Sequence, residues 1–170
     1  DDLMQMNTQY HDFMLRTPYE AQVAASDLAA HIRDTILGIS SSRPTPHELG
    51  TTEDRFILLD GHDSNLSWLG GLLHLDWLLP DQTFNATPPG SALVFEIRRN
   101  RSSHRSTAQV LFISQTLDQI RNLRHLTGAE HPSVAPVFVP GCSNSAPGYA
   151  CTVEGLSKVI DSAIDPRFVT

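Results

Sequence analysis

Two absences from this 170-residue sequence exclude whole classes of protein. No apolar run reaches the roughly 20 residues that a membrane-spanning helix needs, so we expect no membrane segment. Basic residues are not in excess: 12 Lys and Arg stand against 19 Asp and Glu, which gives a net charge of −7 and a pI of about 5.5. Nucleic-acid-binding domains normally carry a basic face, so we expect no nucleic-acid partner. Hydrophobic residues make up 40% of the chain, enough for the core of one ordinary domain.

Cysteine is also scarce. The two cysteines, Cys142 and Cys151, flank the stretch SNSAPGYA, whose Gly, Ser, Asn and Pro content is typical of a loop. Two cysteines are too few for a structural zinc site unless histidines join them. A pair that closes a short polar loop suits a disulfide, and hence a non-cytosolic compartment. The alternative is a pair of free thiols in a cytosolic protein.

Apolar periodicity predicts mixed helices and strands, and therefore the α/β class. The longest helix should start at Pro18, with Thr17 as its N-cap and Glu20 as the partner of Thr17 in a capping box. The segments 92–100 and 107–114, separated by the polar stretch RSSHRS, look like the two strands of a hairpin with a basic turn. The full prediction consists of helices over 3–15, 18–37, 65–75, 115–126 and 153–164, strands over 56–59, 92–100, 107–114 and 134–140, and a long loop over 38–55.

The pair His62-Asp63 stands at the seam between the apolar segment 56–59 and the following helix. In open α/β sheets, ligands bind beyond the carboxyl ends of strands. A helix that starts there directs free backbone N–H groups at the same place, which favours an anion such as a phosphate. His62 could donate a hydrogen bond to a phosphate oxygen, and Asp63 could protonate a departing oxygen as a general acid.

Two other interpretations of this pair stay open. In the first, Asp63, Ser64 or Asn65 simply caps the helix, and His62 is a half-buried turn residue. In the second, the pair belongs to a metal site of the His-Asp phosphohydrolase kind. Such a site needs further His and Asp ligands, and the other seven histidines of this chain do not show ligand spacing.

The longer string around the seam carries a family resemblance. GHDSNLSWLGGLLHLDWLLPDQ followed by TPPGSALVFE resembles the C-terminal part of bacterial histidine acid phosphatases, in their phytase and glucose-1-phosphatase branch. LRTPYEAQ upstream, and SQTLDQIRNL and PGCSNSAPGYACTVEGL downstream, resemble the same family in the same order. The resemblance covers essentially the whole chain. It implies the C-terminal part of the family's phosphoglycerate-mutase-like α/β sandwich with a helical contribution.

The resemblance also implies a chemistry. In this family a histidine within Arg-His-Gly attacks phosphorus and forms phosphohistidine, and the Asp of His-Asp, here Asp63, protonates the leaving alcohol. His62 is then expected beside the phosphate, with Ser64 and Asn65 near the substrate. The family's late cysteine pair corresponds to Cys142 and Cys151. No metal and no cofactor are expected, and the enzyme would be periplasmic or secreted.

One departure from the family decides how the resemblance applies. No histidine of this chain is preceded by Arg and followed by Gly, so the nucleophile and the arginine clamp must lie in an N-terminal segment outside residues 1–170. We expect an acid phosphatase with phytate as its substrate, active only together with that segment, which would be present as a separate chain. The alternatives are an inert fragment, a non-catalytic module that binds phosphate or sugar phosphate, and a sugar phosphatase of the glucose-1-phosphatase type.

A basic run accompanies the predicted hairpin turn. It contains Arg98, Arg99, Arg101, His104 and Arg105. The run could attract a polyanionic substrate, but charge clusters at a hairpin tip are more often solvated.

Overall fold

The structure is a computed structural model that describes residues 2–103 and 105–170, with only the backbone described at Met4. His104 of the predicted basic run therefore lies outside the described residues. The helices are α1 (Asp2–Met14), α2 (Pro18–Ser41), α3 (Asp63–Leu72), α4 (Leu117–Arg121) and α5 (Val153–Ala163), with a 3₁₀ turn at Pro166–Phe168. The strands are β1 (Ala92–Arg99), β2 (Ser106–Ser114), β3 (Ser133–Val137) and β4 (Cys151–Thr152).

An antiparallel sheet forms one layer of the fold. The predicted hairpin is confirmed: β1 pairs with β2 from Ala92–Ile113 to Arg99–Ser106. β3 continues along the other edge of β2, and the short β4 occupies the remaining part of that edge at Ala108. On β2 the side chains alternate between buried and less buried, because successive residues of a strand face opposite sides of the sheet.

Helices α2, α3 and α5 form the second layer and pack with the sheet around one core. α2 contributes small residues, Ala21, Ala25 and Ala29, each almost fully buried, and these let neighbouring helices approach closely. The sheet contributes larger residues, among them Phe112, which stacks on Trp77 with ring centroids 4.5 Å apart. The architecture is therefore α/β, as the sequence predicts. In the described part of the chain, no helix is long and apolar enough to cross a membrane.

Helix α2 starts at the predicted residue but differs from its prediction in its N-terminal cap and in its C-terminal end. Pro18 does open the helix after Thr17, but the Thr17 side chain accepts no capping hydrogen bond, so the predicted capping box with Glu20 is wrong. The helix runs to Ser41, four residues beyond the predicted end at Leu37. It ends where Ser42 adopts a left-handed conformation and donates its N–H to the carbonyl of Gly38. α2 therefore shortens the loop predicted over 38–55.

The predicted strand over 56–59 is wrong. The segment forms no helix, and none of its residues pairs with a strand of the described chain. Phe56 and Leu58 are 80% and 74% exposed, although the sequence reads as a buried run. A strand needs a neighbour for its backbone N–H and C=O groups, and the sheet formed by β1 to β4 lies elsewhere.

The strand predicted over 134–140 ends already at Val137, and β4 is not predicted. The remaining differences concern the ends of helices. α3 begins at Asp63, two residues before the prediction, and ends at Leu72. α4 is a five-residue helix that stops at Arg121, so the helix predicted over 115–126 is too long. Its start has the capping box that α2 lacks, since Thr116 Oγ1 accepts from Gln119 N–H and Gln119 Oε1 accepts from Thr116 N–H.

Candidate active site

Helix α3 begins at the His-Asp pair, and Asn65 fixes that start. His62 is the N-cap, with an extended backbone, and Asp63 is the first helical residue. The His62 N–H donates to Asn65 Oδ1 at 2.9 Å, while the Asn65 N–H donates to the His62 carbonyl at 3.0 Å. Asn65 thus reaches back to cap the helix. The sequence offers Asp63, Ser64 and Asn65 as capping residues. Asn65 is the one that hydrogen-bonds to the backbone of the N-cap residue, and the Asp63 carboxylate does not make this contact.

The Asp63 carboxylate is half exposed, with 54% of its side-chain surface accessible. Its Oδ1 accepts a hydrogen bond from the Ser64 N–H at 2.8 Å. This N–H belongs to the first turn of the helix, where backbone donors have no partner within the helix. Asp63 Oδ2 lies 3.6 Å from Nε2 of His11. On the protein side the carboxylate therefore has one hydrogen bond and the His11 ring close by, and its other side is open to solvent.

His11 is the residue at this site that sequence analysis missed. It lies on α1, is only 5% exposed, and its Nδ1 lies 2.9 Å from Ser67 Oγ. Ser67 is itself buried, one helical turn after Asp63 on the same face of α3. The spacing of Asp63 and Ser67 is visible in the sequence, but nothing in the sequence indicates that a histidine 52 positions earlier packs against both.

The other predicted site residues lie together at the same helix start. His62 is exposed, whereas Ser64 and Asn65 are partly buried. The four predicted residues thus lie together at the start of α3, with His62 and Asp63 exposed to solvent. Within residues 2–103 and 105–170, no three side chains of His, Cys, Asp or Glu are grouped so that they could hold a metal ion.

The far end of α3 is locked to the turn between α1 and α2. Arg16 donates to the carbonyl of Leu75 at 2.6 Å and to Asp76 Oδ1 at 2.9 Å, and its guanidinium lies over the Trp77 ring, 5.2 Å from the centroid. Burial lowers the pKa of Arg16, and the carboxylates of Asp76 and Asp12 act in the opposite direction. Gly71 allows this approach, since a Cβ there would lie 2.6 Å from Arg16 Cα. α3 is therefore fixed at both ends.

Two further predictions can be placed in the structure. Cys142 and Cys151 are joined by a disulfide, with their Cα atoms 5.4 Å apart, which ties the polar loop to the start of α5. The described arginines of the basic run, Arg98, Arg99, Arg101 and Arg105, are all exposed, and Arg98 pairs with Glu96 at 2.8 Å. The solvated interpretation of this hairpin tip therefore fits the structure.

Comparisons with known proteins support the family resemblance. Phytase AppA of Escherichia coli strain K12 is 33% identical over 161 residues, which is 94% of this chain and 36% of that enzyme. The glucose-1-phosphatase of Salmonella typhimurium is 26% identical over 95% of this chain and 36% of its own length. No family model matches the chain.

Solved structures give the same answer for the fold. The phytase from Citrobacter braakii matches 99% of this chain and 42% of its own, with a TM-score of 0.82 and 29% identity. The Hafnia alvei phytase in complex with tartrate matches 99% of this chain and 40% of its own, with a TM-score of 0.86 and 29% identity. The fold is thus that of the histidine acid phosphatases.

These matches assign the chain within that class. It corresponds to a C-terminal portion of an enzyme of the phytase and glucose-1-phosphatase branch. It spans only about a third of the length of the E. coli and Salmonella relatives.

Proposed function

We propose that this chain is the part of a phosphomonoester hydrolase that supplies the general acid, Asp63. The observation that carries the proposal is the Asp63 carboxylate itself. It stands at the N-terminus of α3, half exposed and held by the Ser64 N–H, in a chain whose matched relatives are phytases and glucose-1-phosphatases.

The proposed reaction has two steps. A histidine of the N-terminal segment attacks phosphorus; the bond between phosphorus and the alcohol oxygen breaks as Asp63 gives its proton to that oxygen. In the second step Asp63 takes a proton from water, whose oxygen attacks phosphorus, and the N–P bond breaks to release phosphate. Asp63 therefore ends each cycle protonated, as it began.

The neighbouring residues would position the phosphate. His62 is exposed beside Asp63 and would donate to a phosphate oxygen, assisted by the positive end of α3. Ser64 and Asn65 would contact the substrate. Asn65 Oδ1 accepts from the His62 N–H, and the Asn65 side chain would offer its Nδ2 group as a donor to the substrate. In this mechanism fixed positive charge and positioning stabilise the transferring phosphoryl group, and no metal or other cofactor takes part.

Phytate is the substrate we propose, because the Leu-Gly-Gly run resembles the phytase side of the branch and the E. coli match is to a phytase. Ser64 also occurs in glucose-1-phosphatase-like relatives, and two of the matched relatives carry that name. A glucose 1-phosphate substrate is therefore the second candidate, and comparing the two substrates in one assay decides between them.

We propose that the partner of this chain is the N-terminal segment of the same enzyme, present as a separate chain. Two groups of exposed apolar side chains support this. One is in the segment 56–59, and the other is on α1, at Leu3, Met6, Tyr10 and Phe13. Exposed apolar surface of this kind is typical of an interface. We also propose a periplasmic or extracellular location. The chain has a disulfide between Cys142 and Cys151, and disulfides persist in oxidising compartments.

The deciding experiment combines mass and activity. Intact mass spectrometry of the purified protein, denatured and reduced, should show a second polypeptide that contains Arg-His-Gly. The two together should hydrolyse phytate best at acidic pH and keep their activity in EDTA. If the sample contains this 18.7 kDa chain alone and it binds phosphate without hydrolysis, the non-catalytic module replaces our proposal. A loss of activity in EDTA would favour the metallohydrolase instead.

A further inference from the structure

The buried imidazole of His11 joins α1 to two positions of α3. Its Nδ1 lies 2.9 Å from Ser67 Oγ, and its Nε2 lies 3.6 Å from Asp63 Oδ2. Asp63 and Ser67 are four residues apart and therefore neighbours on one face of the helix. One ring thus contacts the proposed general acid and a hydroxyl one turn further along.

The two contacts define the roles of the ring nitrogens. When the Ser67 hydroxyl donates to Nδ1, the proton of a neutral imidazole is on Nε2, and that N–H faces the Asp63 carboxylate. In His residues generally, the hydrogen bond at one ring nitrogen sets which tautomer the other presents. Ser67 would therefore orient His11, and His11 would orient Asp63.

His11 and Ser67 are held by burial, whereas the side chain of Asp63 is not. His11 and Ser67 are 5% and 1% exposed, whereas the Asp63 side chain is 54% exposed. A half-exposed carboxylate can adopt several rotamers, and a catalytic group performs best when packed neighbours hold it in one geometry. The packed imidazole limits that freedom from the protein side and leaves the solvent side open to substrate.

We infer that His11 is a positioning residue for the general acid, and that it acts through Asp63 with Ser67 fixing its tautomer. The inference rests on the proposed function, because it takes the catalytic role of Asp63 as given. It adds to the site a residue from a different helix, which the His-Asp-Ser-Asn string alone does not predict.

The test is a double-mutant cycle in the assembled enzyme, that is, this chain together with its N-terminal segment. His11→Phe keeps a flat ring of similar size but removes the donor, whereas His11→Gln keeps an amide donor near the position of Nε2. With a substrate that has a poor leaving group, such as glycerol phosphate, His11→Phe should lower kcat about tenfold. This is part of the ~10²–10⁴-fold rate increase that a positioned general acid supplies. KM should stay within about twofold, and His11→Gln should recover part of kcat.

The decisive comparison is made in the Asp63→Asn background. Residues that act as one unit are not additive, so His11→Phe should have little further effect once the carboxylate is gone. An equal loss in both backgrounds would mean that His11 only supports the fold, and the inference would be abandoned. If Asp63→Asn alone leaves kcat unchanged, the proposed function fails instead, so the two failures are distinguishable.

A second measurement does not depend on activity. Long-range ¹H–¹⁵N NMR of the histidine rings in the full chain reports which nitrogen carries the proton. We expect the Nε2–H form for His11, and a change in its Nε2 signal in Asp63→Asn but not in a distant control such as Asp118→Asn. Observation of the Nδ1–H form, or no response to Asp63→Asn, would contradict the inference even if His11→Phe did not fold.

Discussion

The carboxamide oxygen of Asn65 accepts a hydrogen bond from the backbone N–H of His62 at 2.9 Å. Through this contact, Asn65 in the first turn of α3 fixes the backbone of His62, the residue that precedes the helix. The structure thereby explains why an amide follows the His-Asp pair at this spacing. It keeps the helix start in place without using the Asp63 carboxylate.

Removal of the Asn65 amide should therefore loosen the start of α3. We expect Asn65→Ala to lower the free energy of unfolding by about 1 kcal/mol, the usual cost of losing a helix-terminal side-chain hydrogen bond. Asn65→Asp keeps an acceptor oxygen and should retain most of the stability. Urea denaturation of the three proteins measures the differences, and equal stability of wild type and Asn65→Ala would show that the contact contributes nothing.

Asp63→Asn should reduce turnover in a way that depends on the leaving group. A general acid matters most when the departing oxygen is basic. We therefore expect a loss of about 10²–10⁴-fold in kcat with glycerol phosphate and a much smaller loss with p-nitrophenyl phosphate, whose phenolate leaves without a proton. The side chain is half exposed, so thermal stability should hardly change. Equal losses with both substrates would remove Asp63 from the role of proton donor.

We expect the segment 56–59 to be part of the surface that meets the proposed N-terminal segment. Phe56 and Leu58 are 80% and 74% exposed, and charges there would be buried without partners in the assembled enzyme. We expect the double variant Phe56→Asp/Leu58→Asp to lose association with that segment, measured by analytical ultracentrifugation, while its own circular dichroism is unchanged.

A matched control exists for this surface. Leu123 is 86% exposed, just after α4, and Leu123→Asp adds a charge at an equally exposed apolar position. It should associate normally. Loss of association in the control, or full association of the double variant, would place the interface elsewhere.

The tight crossing at Gly71 should not tolerate even one methyl group. An alanine Cβ at this position would lie 2.6–2.9 Å from three backbone atoms of Arg16, which cannot move aside as a flexible side chain would. Gly71→Ala should therefore destabilise the chain by about 1–3 kcal/mol, despite the better helix propensity of alanine. Gly128→Ala, where a Cβ meets nothing within 4 Å, should stay within about 0.5 kcal/mol of wild type. Differential scanning calorimetry compares the two.

How much of this could be predicted from the sequence depends on where each interaction partner lies along the chain. The hairpin of β1 and β2 is local, and two apolar segments around a short polar turn predict it correctly. The segment 56–59 has the composition of a buried strand, but strand formation depends on a neighbour that the described residues do not provide. Composition alone therefore predicts a buried Phe56, whereas the side chain is exposed.

The candidate site shows the same division. His62, Asp63, Ser64 and Asn65 are contiguous, so a family resemblance in one short string is enough to predict them together. His11 reaches the site only because α1 packs on α3, a tertiary contact that neither periodicity nor spacing encodes. The same holds for Arg16, whose partners are about 60 residues away.

The disulfide between Cys142 and Cys151 should stabilise the C-terminal part of the fold. It closes a loop with a sequence separation of 9, and cross-linking a loop of that size restricts the unfolded chain by about 2–3 kcal/mol. The paired variant Cys142→Ser/Cys151→Ser should lower the free energy of unfolding by that amount without changing the α3 site. A peptide map without reduction should show the linked pair. Free thiols at both positions in the native protein would contradict the bridge and, with it, the argument for an oxidising compartment.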